Sequence, residues 1–241
     1  CKPTQGILAD PGTFLIHLGQ TNNKCNWKSW GKILKDRDEK REIEISNKAE
    51  EKTEFINPLK ICLAINSHIK KGDIIIADGG DFVATASYIL RPRSLRGWLD
   101  PGVFGTLGVG AGFSMGAQLT HPKSVVWAIY GDGAFGYSLM EYDTFVRHNI
   151  PVIAIIGNDA GWTQIARDQI DILKDPVSTK LKRTEYHQAV EALGGVGLTI
   201  EREEDIESAL TRARESAEAG NPVVLNVKIG ETNFRKGSIS M

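Results

Sequence analysis

Short continuous apolar runs alternate with helix-like segments from residue 57 onward, and this alternation limits the fold more than any other feature. Runs of this length without polar alternation are typical of strands covered on both faces, which occur in parallel sheets. The pattern predicts the α/β class: a doubly wound parallel sheet with helices on both faces. The runs are DIIIA (73–77), SVVWAIY (124–130), VIAII (152–156), GLTI (197–200) and PVVLNVKI (222–229).

Helices are predicted between these strands. Asn57-Pro58 places an N-cap residue before a proline at the first helical position, and Ile61, Ile65 and Ile69 then mark one helical face. The glycine-rich residues ahead of 124–130 are predicted to form a crossing segment. The other predicted helices begin at Phe82 or cover 138–148, 163–172, 184–193 and 203–219.

The first 56 residues differ from the rest of the chain in composition. Residues 36–54 are dense in charges of both signs and poor in large apolar side chains, which is typical of an exposed linker or a polar helix. Residues 1–35 hold one short apolar stretch, GTFLIHL, too little for an independent core. We therefore predict the tail of a preceding domain over 1–35, a charged linker over 36–56 and the α/β domain over 57–241. The first residue is not methionine, and we expect a further part upstream.

Composition excludes several classes of function. The 29 Lys and Arg balance 30 Asp and Glu, and no basic block is present, so a nucleic-acid surface is not expected. Three cysteines without a C-x-x-C spacing do not form a disulfide framework and indicate a reducing, intracellular compartment. No apolar run reaches the roughly 18 residues that a membrane span requires.

Two aspartates follow two consecutive predicted strands. Asp132 lies in a Gly-Asp-Gly turn after 124–130, and Asp159 lies in an Asn-Asp turn after 152–156. Because one helix joins these strands, they should be parallel and their following loops should open on the same edge of the sheet. Carboxylates with few accompanying His or Cys indicate a hard cation, Mg²⁺ or Ca²⁺. In the alternative interpretation Asp132 only caps a helix and Asp159 only closes a turn.

Two glycine-rich segments also follow the pattern of ligand-binding loops. Residues 78–81, Asp-Gly-Gly-Asp, come directly after DIIIA and are typical of a strand-to-helix turn. Residues 105–112, GTLGVGAG, contain a G-x-G-x-G pattern, but no clear strand precedes it, so a dinucleotide site is not supported.

These motifs together resemble a known family. The run GDGAFGYSLMEYDTFVRHNIPVIAIIGNDAGW (131–162) is similar to the signature of thiamine-diphosphate-dependent enzymes, in which an Asn-Asn or similar pair follows Gly-Asp-Gly after a helix and a strand. DGGDF (78–82) and WLDPGVFGTLGVGAGFSMGA (98–117) extend the resemblance, which covers the chain from about residue 57. Residues 1–35 are more loosely similar to the end of that family's middle domain. Within that family the chain is most similar to 2-hydroxyacyl-CoA lyases and acetolactate synthase-like proteins.

The resemblance implies roles for individual residues. Asp132, Asp159 and the carbonyl of Gly161 would hold Mg²⁺, although the family's usual second ligand is asparagine rather than aspartate. No catalytic residue is assigned, while Trp162 and Gln164 would face the substrate, or else be a partly buried aromatic and a solvent-facing amide. The resemblance implies further contacts to the cofactor diphosphate, from the amides of Gly133, Ala134 and Phe135 and, on the far side, from Gly79, Gly80 and Asp81. It also implies that the Gly105 carbonyl accepts from the aminopyrimidine and that Leu107 lies between the two cofactor rings. In the alternative interpretation Leu107 is an ordinary core residue.

The resemblance also implies a function. We expect a lyase that uses Mg²⁺ and thiamine diphosphate to cleave a 2-hydroxyacyl-CoA into formyl-CoA and an aldehyde shortened by one carbon, in fatty acid metabolism. The cofactor would also need a pyrimidine-binding domain of the same or a partner subunit, so a homodimer or homotetramer is expected and the isolated chain should be weak or inactive. Close relatives are anchored in the endoplasmic reticulum membrane. Two alternatives remain open: an acetolactate synthase-type carboligase of 2-keto acids and a non-catalytic scaffold subunit.

Overall fold

The computed structural model describes residues 2–21 and 26–236 and divides into two compact units, Cys1–Ile43 and Glu44–Met241. In the first unit, helix α1 (Pro11–Gln20) begins after Asp10, whose carboxylate accepts a hydrogen bond from the Thr13 amide at 2.8 Å. Helix α2 (Lys28–Ala49) begins in the first unit and ends in the second. Its side chains are exposed as far as Lys40, so this charged part of the chain is a polar helix.

The second unit is built on one six-stranded sheet in the order β2-β1-β3-β4-β6-β5, and all neighbouring strands are parallel. This confirms the predicted fold class. The strands are β1 (Ile74–Ala77), β2 (Trp98–Leu99), β3 (Val126–Gly131), β4 (Val152–Asn158), β5 (Val196–Ile200) and β6 (Val223–Lys228). The helices are α3 (Pro58–His68), α4 (Asp81–Ile89), α5 (Gly110–Thr120), α6 (Asp132–Ser138), α7 (Glu141–Arg147), α8 (Thr163–Leu173), α9 (Tyr186–Ala192) and α10 (Ile206–Glu218).

The core lies on both faces of the sheet. Successive strand residues point to opposite faces, so Trp127 and its neighbour Ala128 belong to different hydrophobic clusters. One cluster packs the sheet against α3, α4 and α10, and the other packs it against α5, α6, α7 and α9. Burial on both faces explains why the central strands are continuous apolar runs.

The sequence predictions between the strands missed two helices. The glycine-rich crossing contains a complete helix, α5, and a separate short helix, α6, begins at Asp132. The helix predicted over 138–148 is confirmed as α7. Glycine has low helix propensity, which masked α5 in the sequence. At Gly110 the reason for glycine is close packing, because a Cβ there would lie 2.5 Å from the Tyr130 ring.

Two further observations concern membranes and thiols. Within residues 2–21 and 26–236, no helix combines the length and the apolar character that crossing a membrane requires. Cys62 is a buried free thiol whose pKa is raised by burial, whereas Cys1 and Cys25 lie outside the described residues.

Candidate cofactor site

The two aspartates singled out in the sequence lie at neighbouring strand ends. Strands β3 and β4 pair in parallel, with Gly131 opposite Gly157, so Asp132 and Asp159 both follow the carboxyl edge of the sheet. They line one cleft of about 730 Å³, whose other walls come from the loop after β1 and from the glycine-rich segment. The predicted parallel direction of the two strands, with their following loops on one edge of the sheet, is therefore confirmed.

Asp132 is held on both carboxylate oxygens. Its Oδ1 accepts a hydrogen bond from the Gly133 amide at 2.8 Å, and its Oδ2 accepts one from the Gly161 amide at 3.2 Å. The residue is only 1% exposed. Burial, and then the nearby charge of Asp159, raise the pKa of the Asp132 carboxyl to about 7. The second of these bonds links the start of α6 to the loop that carries Asp159.

Asp159 is partly buried and lies in a tight turn in which Ala160 has a φ of 60°. Burial raises the pKa of the Asp159 carboxyl to about 6, the Asp81 charge adds to the rise, and a hydrogen bond with the Thr163 side chain opposes it. The preceding Asn158 is fully buried, and its amide nitrogen donates to Thr184 O at 3.0 Å. Of this Asn-Asp pair, it is Asp159 that lines the cleft.

The loop after β1 and the glycine-rich segment are joined by Asp78. Its Oδ1 accepts from the Gly108 amide at 3.0 Å, and its Oδ2 accepts from the Gly110 amide at 2.8 Å. The side chain is 4% exposed, and burial raises the pKa of its carboxyl. The sequence predicts a turn at Asp78 but does not indicate this role, because the partners of Asp78 are backbone amides about 30 residues away that have no sequence signature.

Asp81, a predicted diphosphate contact, is engaged with a cation. Arg167 Nη2 on α8 donates to Asp81 Oδ1 at 2.6 Å, and both side chains are largely buried. The Asp81 carboxylate also lines the cleft. The structure therefore gives Asp81 a partner within the chain that the sequence did not suggest.

Two large side chains lie directly over glycines of the cleft. A Cβ at Gly79 would be 2.1 Å from Leu107 Cδ2, and a Cβ at Gly133 would be 2.6 Å from the Trp162 ring. Leu107 keeps 37% of its surface exposed, so it is not an ordinary core residue. Glycine at 79 and 133 is thus required by close approach of these side chains.

The structure brings nearly all the predicted site residues to this cleft, while the roles assigned to them stay predictions. The exception is Phe135, whose side chain is fully buried and packs in the core with ring centroids 5.2 Å from Tyr130 and 5.2 Å from Tyr186. The predicted residues lining the cleft are Gly79, Gly80, Asp81, Gly105, Leu107, Asp132, Gly133, Ala134, Asp159, Gly161, Trp162 and Gln164.

The charge of the cleft indicates the kind of ligand that fits. Among the described residues that line it are five aspartates and no lysine, arginine or histidine. A diphosphate would be repelled by such a surface unless a cation lay between them. The described residues contain no cluster of three His, Cys, Asp or Glu side chains suited to a metal. Two carboxylates and backbone oxygens could hold a hard cation that keeps positions free for phosphate oxygens.

Fold and site together define a class of protein. A parallel sheet with a ligand cleft outside the carboxyl ends of its central strands is an α/β cofactor-binding domain. Residues 78–227 match the family model "Thiamine pyrophosphate enzyme, C-terminal TPP binding domain". The chain belongs to this family.

Individual relatives agree with the family match. The chain is 46% identical to 2-hydroxyacyl-CoA lyase 2 of Danio rerio and 43% identical to that of Homo sapiens, covering 100% of this chain and 39% of each relative. It is 35% identical to a probable acetolactate synthase of Mycobacterium bovis, over 71% of this chain and 31% of that protein. The structure of a thiamine diphosphate-dependent 4-hydroxybenzoylformate decarboxylase of Rhodococcus jostii RHA1 has the same fold, with a TM-score of 0.66 and 22% identity over 76% of this chain and 34% of that one. The chain therefore spans about two fifths of the length of these lyases.

Proposed function

We propose that this chain is the diphosphate-binding part of a Mg²⁺- and thiamine-diphosphate-dependent lyase that cleaves 2-hydroxyacyl-CoA into formyl-CoA and an aldehyde shortened by one carbon. The observation that carries the metal and cofactor assignment is the pair of carboxylates, Asp132 and Asp159, at one sheet edge in a cleft without a described cationic side chain. The substrate class is supported by the similarity to 2-hydroxyacyl-CoA lyases over the whole chain.

The residues of this chain would bind and orient the cofactor. Asp132, Asp159 and the carbonyl of Gly161 would hold Mg²⁺, which offsets the acidity of the cleft and binds the diphosphate oxygens. Leu107 projects over Gly79 and would separate the two rings of the cofactor. When bound, thiamine diphosphate supplies the carbanion chemistry that breaks a carbon–carbon bond beside a carbonyl.

The rest of the active site would come from elsewhere. We propose that a pyrimidine-binding domain, in the same or a partner subunit, completes the cofactor site in a homodimer or homotetramer. The isolated chain would then bind the cofactor weakly and turn over little substrate. Location at the endoplasmic reticulum membrane is part of the same proposal and rests on the resemblance alone.

Calorimetry on the full-length protein tests the cofactor assignment. We expect thiamine diphosphate to bind only with Mg²⁺, and we expect Asp132→Ala and Asp159→Ala to remove this binding. Asp143→Ala is the matched control, because Asp143 is an exposed aspartate on α7 that pairs with Arg147. A full-length protein that binds no cofactor with Mg²⁺ would favour the scaffold alternative and refute both enzymes.

A second experiment separates the lyase from the carboligase, which is favoured only by the 35% identity to a probable acetolactate synthase. Full-length protein is incubated with a 2-hydroxyacyl-CoA or with pyruvate, and products are identified by mass spectrometry. We expect formyl-CoA and the shortened aldehyde. Acetolactate without formyl-CoA would contradict the lyase assignment.

A further inference from the structure

Residues 181–186 precede α9 and include its first residue, Tyr186. Four hydrogen bonds join this segment to Asp132 and to the two neighbours of Asp159, Asn158 and Ala160. The sequence predicted a helix beginning at 184 and assigned no cofactor role to any residue of this segment. We refer to residues 181–186 as the brace.

The first contact fixes Asp132. The Tyr186 hydroxyl donates to the backbone carbonyl of Asp132 at 3.0 Å, and this bond is buried. The Tyr186 ring packs edge-on against Phe135, with centroids 5.2 Å apart, so the hydroxyl has little freedom to move. Tyr186, which does not line the cleft, therefore anchors the first turn of α6.

The other contacts enclose Asp159. The Arg183 guanidinium donates to the carbonyl of Asn158, immediately before Asp159, and to the carbonyl of Ile229 at 3.2 Å. The Leu181 amide donates to the carbonyl of Ala160, immediately after Asp159, at 2.8 Å. Arg183 is itself held over the Phe55 ring, 3.8 Å from its centroid. The backbone on both sides of Asp159 is thus tied to the same short segment as Asp132.

We propose that Tyr186 and Arg183 are positioning residues that set the separation of the Asp132 and Asp159 carboxylates and so select Mg²⁺ over larger cations. The inference rests on the proposed function. Mg²⁺ requires near-octahedral oxygens at about 2.0–2.1 Å, whereas Ca²⁺ accepts irregular oxygens at about 2.3–2.6 Å. A carboxylate pair that is free to separate should lose affinity for Mg²⁺ much more than for Ca²⁺.

Tyr186→Phe tests the inference because it removes one hydroxyl and keeps the ring. The full-length protein is titrated with Mg²⁺ or Ca²⁺ at saturating thiamine diphosphate, and binding is measured by calorimetry. Loss of residues that orient metal ligands weakens metal binding by about 10- to 100-fold in general. We expect the Kd for Mg²⁺ to rise about tenfold and the Kd for Ca²⁺ to rise at most about threefold, because Ca²⁺ tolerates a wider range of geometry.

Tyr142→Phe is the matched control. Tyr142 is buried in the same aromatic cluster, and its hydroxyl donates to the carbonyl of Val223 at 3.2 Å, away from both aspartates. This variant should lower stability without changing the ratio of the two Kd values. An unchanged ratio in Tyr186→Phe, or the same change in Tyr142→Phe, would overturn the inference.

Arg183→Met provides an independent variant if Tyr186→Phe does not fold. Methionine preserves an apolar contact with Phe55 but cannot donate to the carbonyls, so the same selective loss of Mg²⁺ affinity is expected. Arg147→Met, on the exposed face of α7, controls for loss of one positive charge. If the wild-type protein binds neither ion with the cofactor, the proposed function has failed; if it binds both and the variants keep its ratio, the brace alone has failed.

Discussion

An aspartate is buried at the amino edge of the sheet and another at the carboxyl edge, but the two carboxylates have different hydrogen-bond partners. At the amino edge, Asp73 Oδ2 accepts from the Arg214 guanidinium, from Trp127 Nε1 at 3.1 Å and from the Lys70 amide at 2.9 Å. At the carboxyl edge, Asp132 accepts from two backbone amides, and the described residues lining its cleft include no cationic side chain. One buried carboxylate is neutralised by the protein itself, and the other is not.

This difference indicates that the buried aspartate at the amino edge stabilises the fold, whereas the one at the carboxyl edge is available to a ligand. A buried carboxylate paired with arginine is a closed structural unit, because both charges have partners. A buried carboxylate that lies near a second carboxylate has a raised pKa because its ionised form is destabilised. A bound cation would stabilise that ionised form. Mutation of the aspartate at the amino edge should therefore lower stability, whereas mutation of the aspartate at the carboxyl edge should lower cofactor binding.

The largest expected effect is on stability at the amino edge. Asp73→Ala leaves Arg214 buried with only the half-exposed Glu218 as an ion-pair partner, and loss of a buried partner costs about 3–5 kcal/mol in unfolding free energy. Urea unfolding of the chain measures this change. Glu218→Ala is the control, because Glu218 also pairs with Arg214 but is 52% exposed, and its loss should cost about 0–1 kcal/mol. Equal costs for the two variants would show that Asp73 and Arg214 do not form a closed unit.

The next effect is on cofactor binding at the carboxyl edge. Asp132→Asn removes one of the two carboxylates that would hold Mg²⁺, and we expect the Kd of thiamine diphosphate with Mg²⁺ to rise at least about 100-fold, or about 2.7 kcal/mol. Calorimetry on the full-length protein measures it. Asp73→Ala, if it remains folded, should leave this Kd within about threefold, because it acts on the other edge. A similar loss in both variants would remove the contrast between the edges.

The pH dependence of stability distinguishes the edges without any ligand. Asp132 has a folded-state pKa of about 7, above its ordinary value of 3.8, so the folded state holds more protons than the unfolded state between these values. The metal-free chain should therefore lose the stability that the Asp132 carboxyl contributes as pH rises from about 4 to about 7.

Chemical unfolding at a series of pH values measures this slope, and Asp132→Asn provides the reference. We expect the difference between wild type and variant to change across this pH range. A parallel course of the two curves would mean that the Asp132 carboxyl titrates in the same way in folded and unfolded chains.

Much of this contrast was visible in the sequence. Continuous apolar runs predicted β1, β3 and β4, and topology alone predicted that Asp132 and Asp159 would meet at one edge. Helix α5 was missed because its glycines at 110, 112 and 116 have low helix propensity. Gly110 is required by close packing against the Tyr130 ring, which a propensity scale does not measure.

The support of the site was not predictable in the same way. Tyr186 contacts Asp132 across 54 positions, and Arg183 contacts Asn158 across 25 positions. Their acceptors are backbone carbonyls, which every residue has, so no residue type or spacing indicates the pairing. Only the folded chain shows that one segment holds both aspartates.

The smallest expected effect concerns Asp159, at the position where the sequence resemblance predicts asparagine. Asp159→Asn keeps an oxygen ligand for a hard cation but removes one negative charge. We expect the Mg²⁺ concentration for half-saturation to rise by less than about tenfold, because an amide oxygen also ligates Mg²⁺ but attracts it less. At saturating Mg²⁺ the Kd of thiamine diphosphate should stay the same or fall, since repulsion of the diphosphate decreases. Calorimetry at two Mg²⁺ concentrations separates these effects. If Asp159→Asn weakened cofactor binding as much as Asp132→Asn, the second carboxylate would be indispensable. The site would then depend on two negative charges and not only on two oxygen ligands.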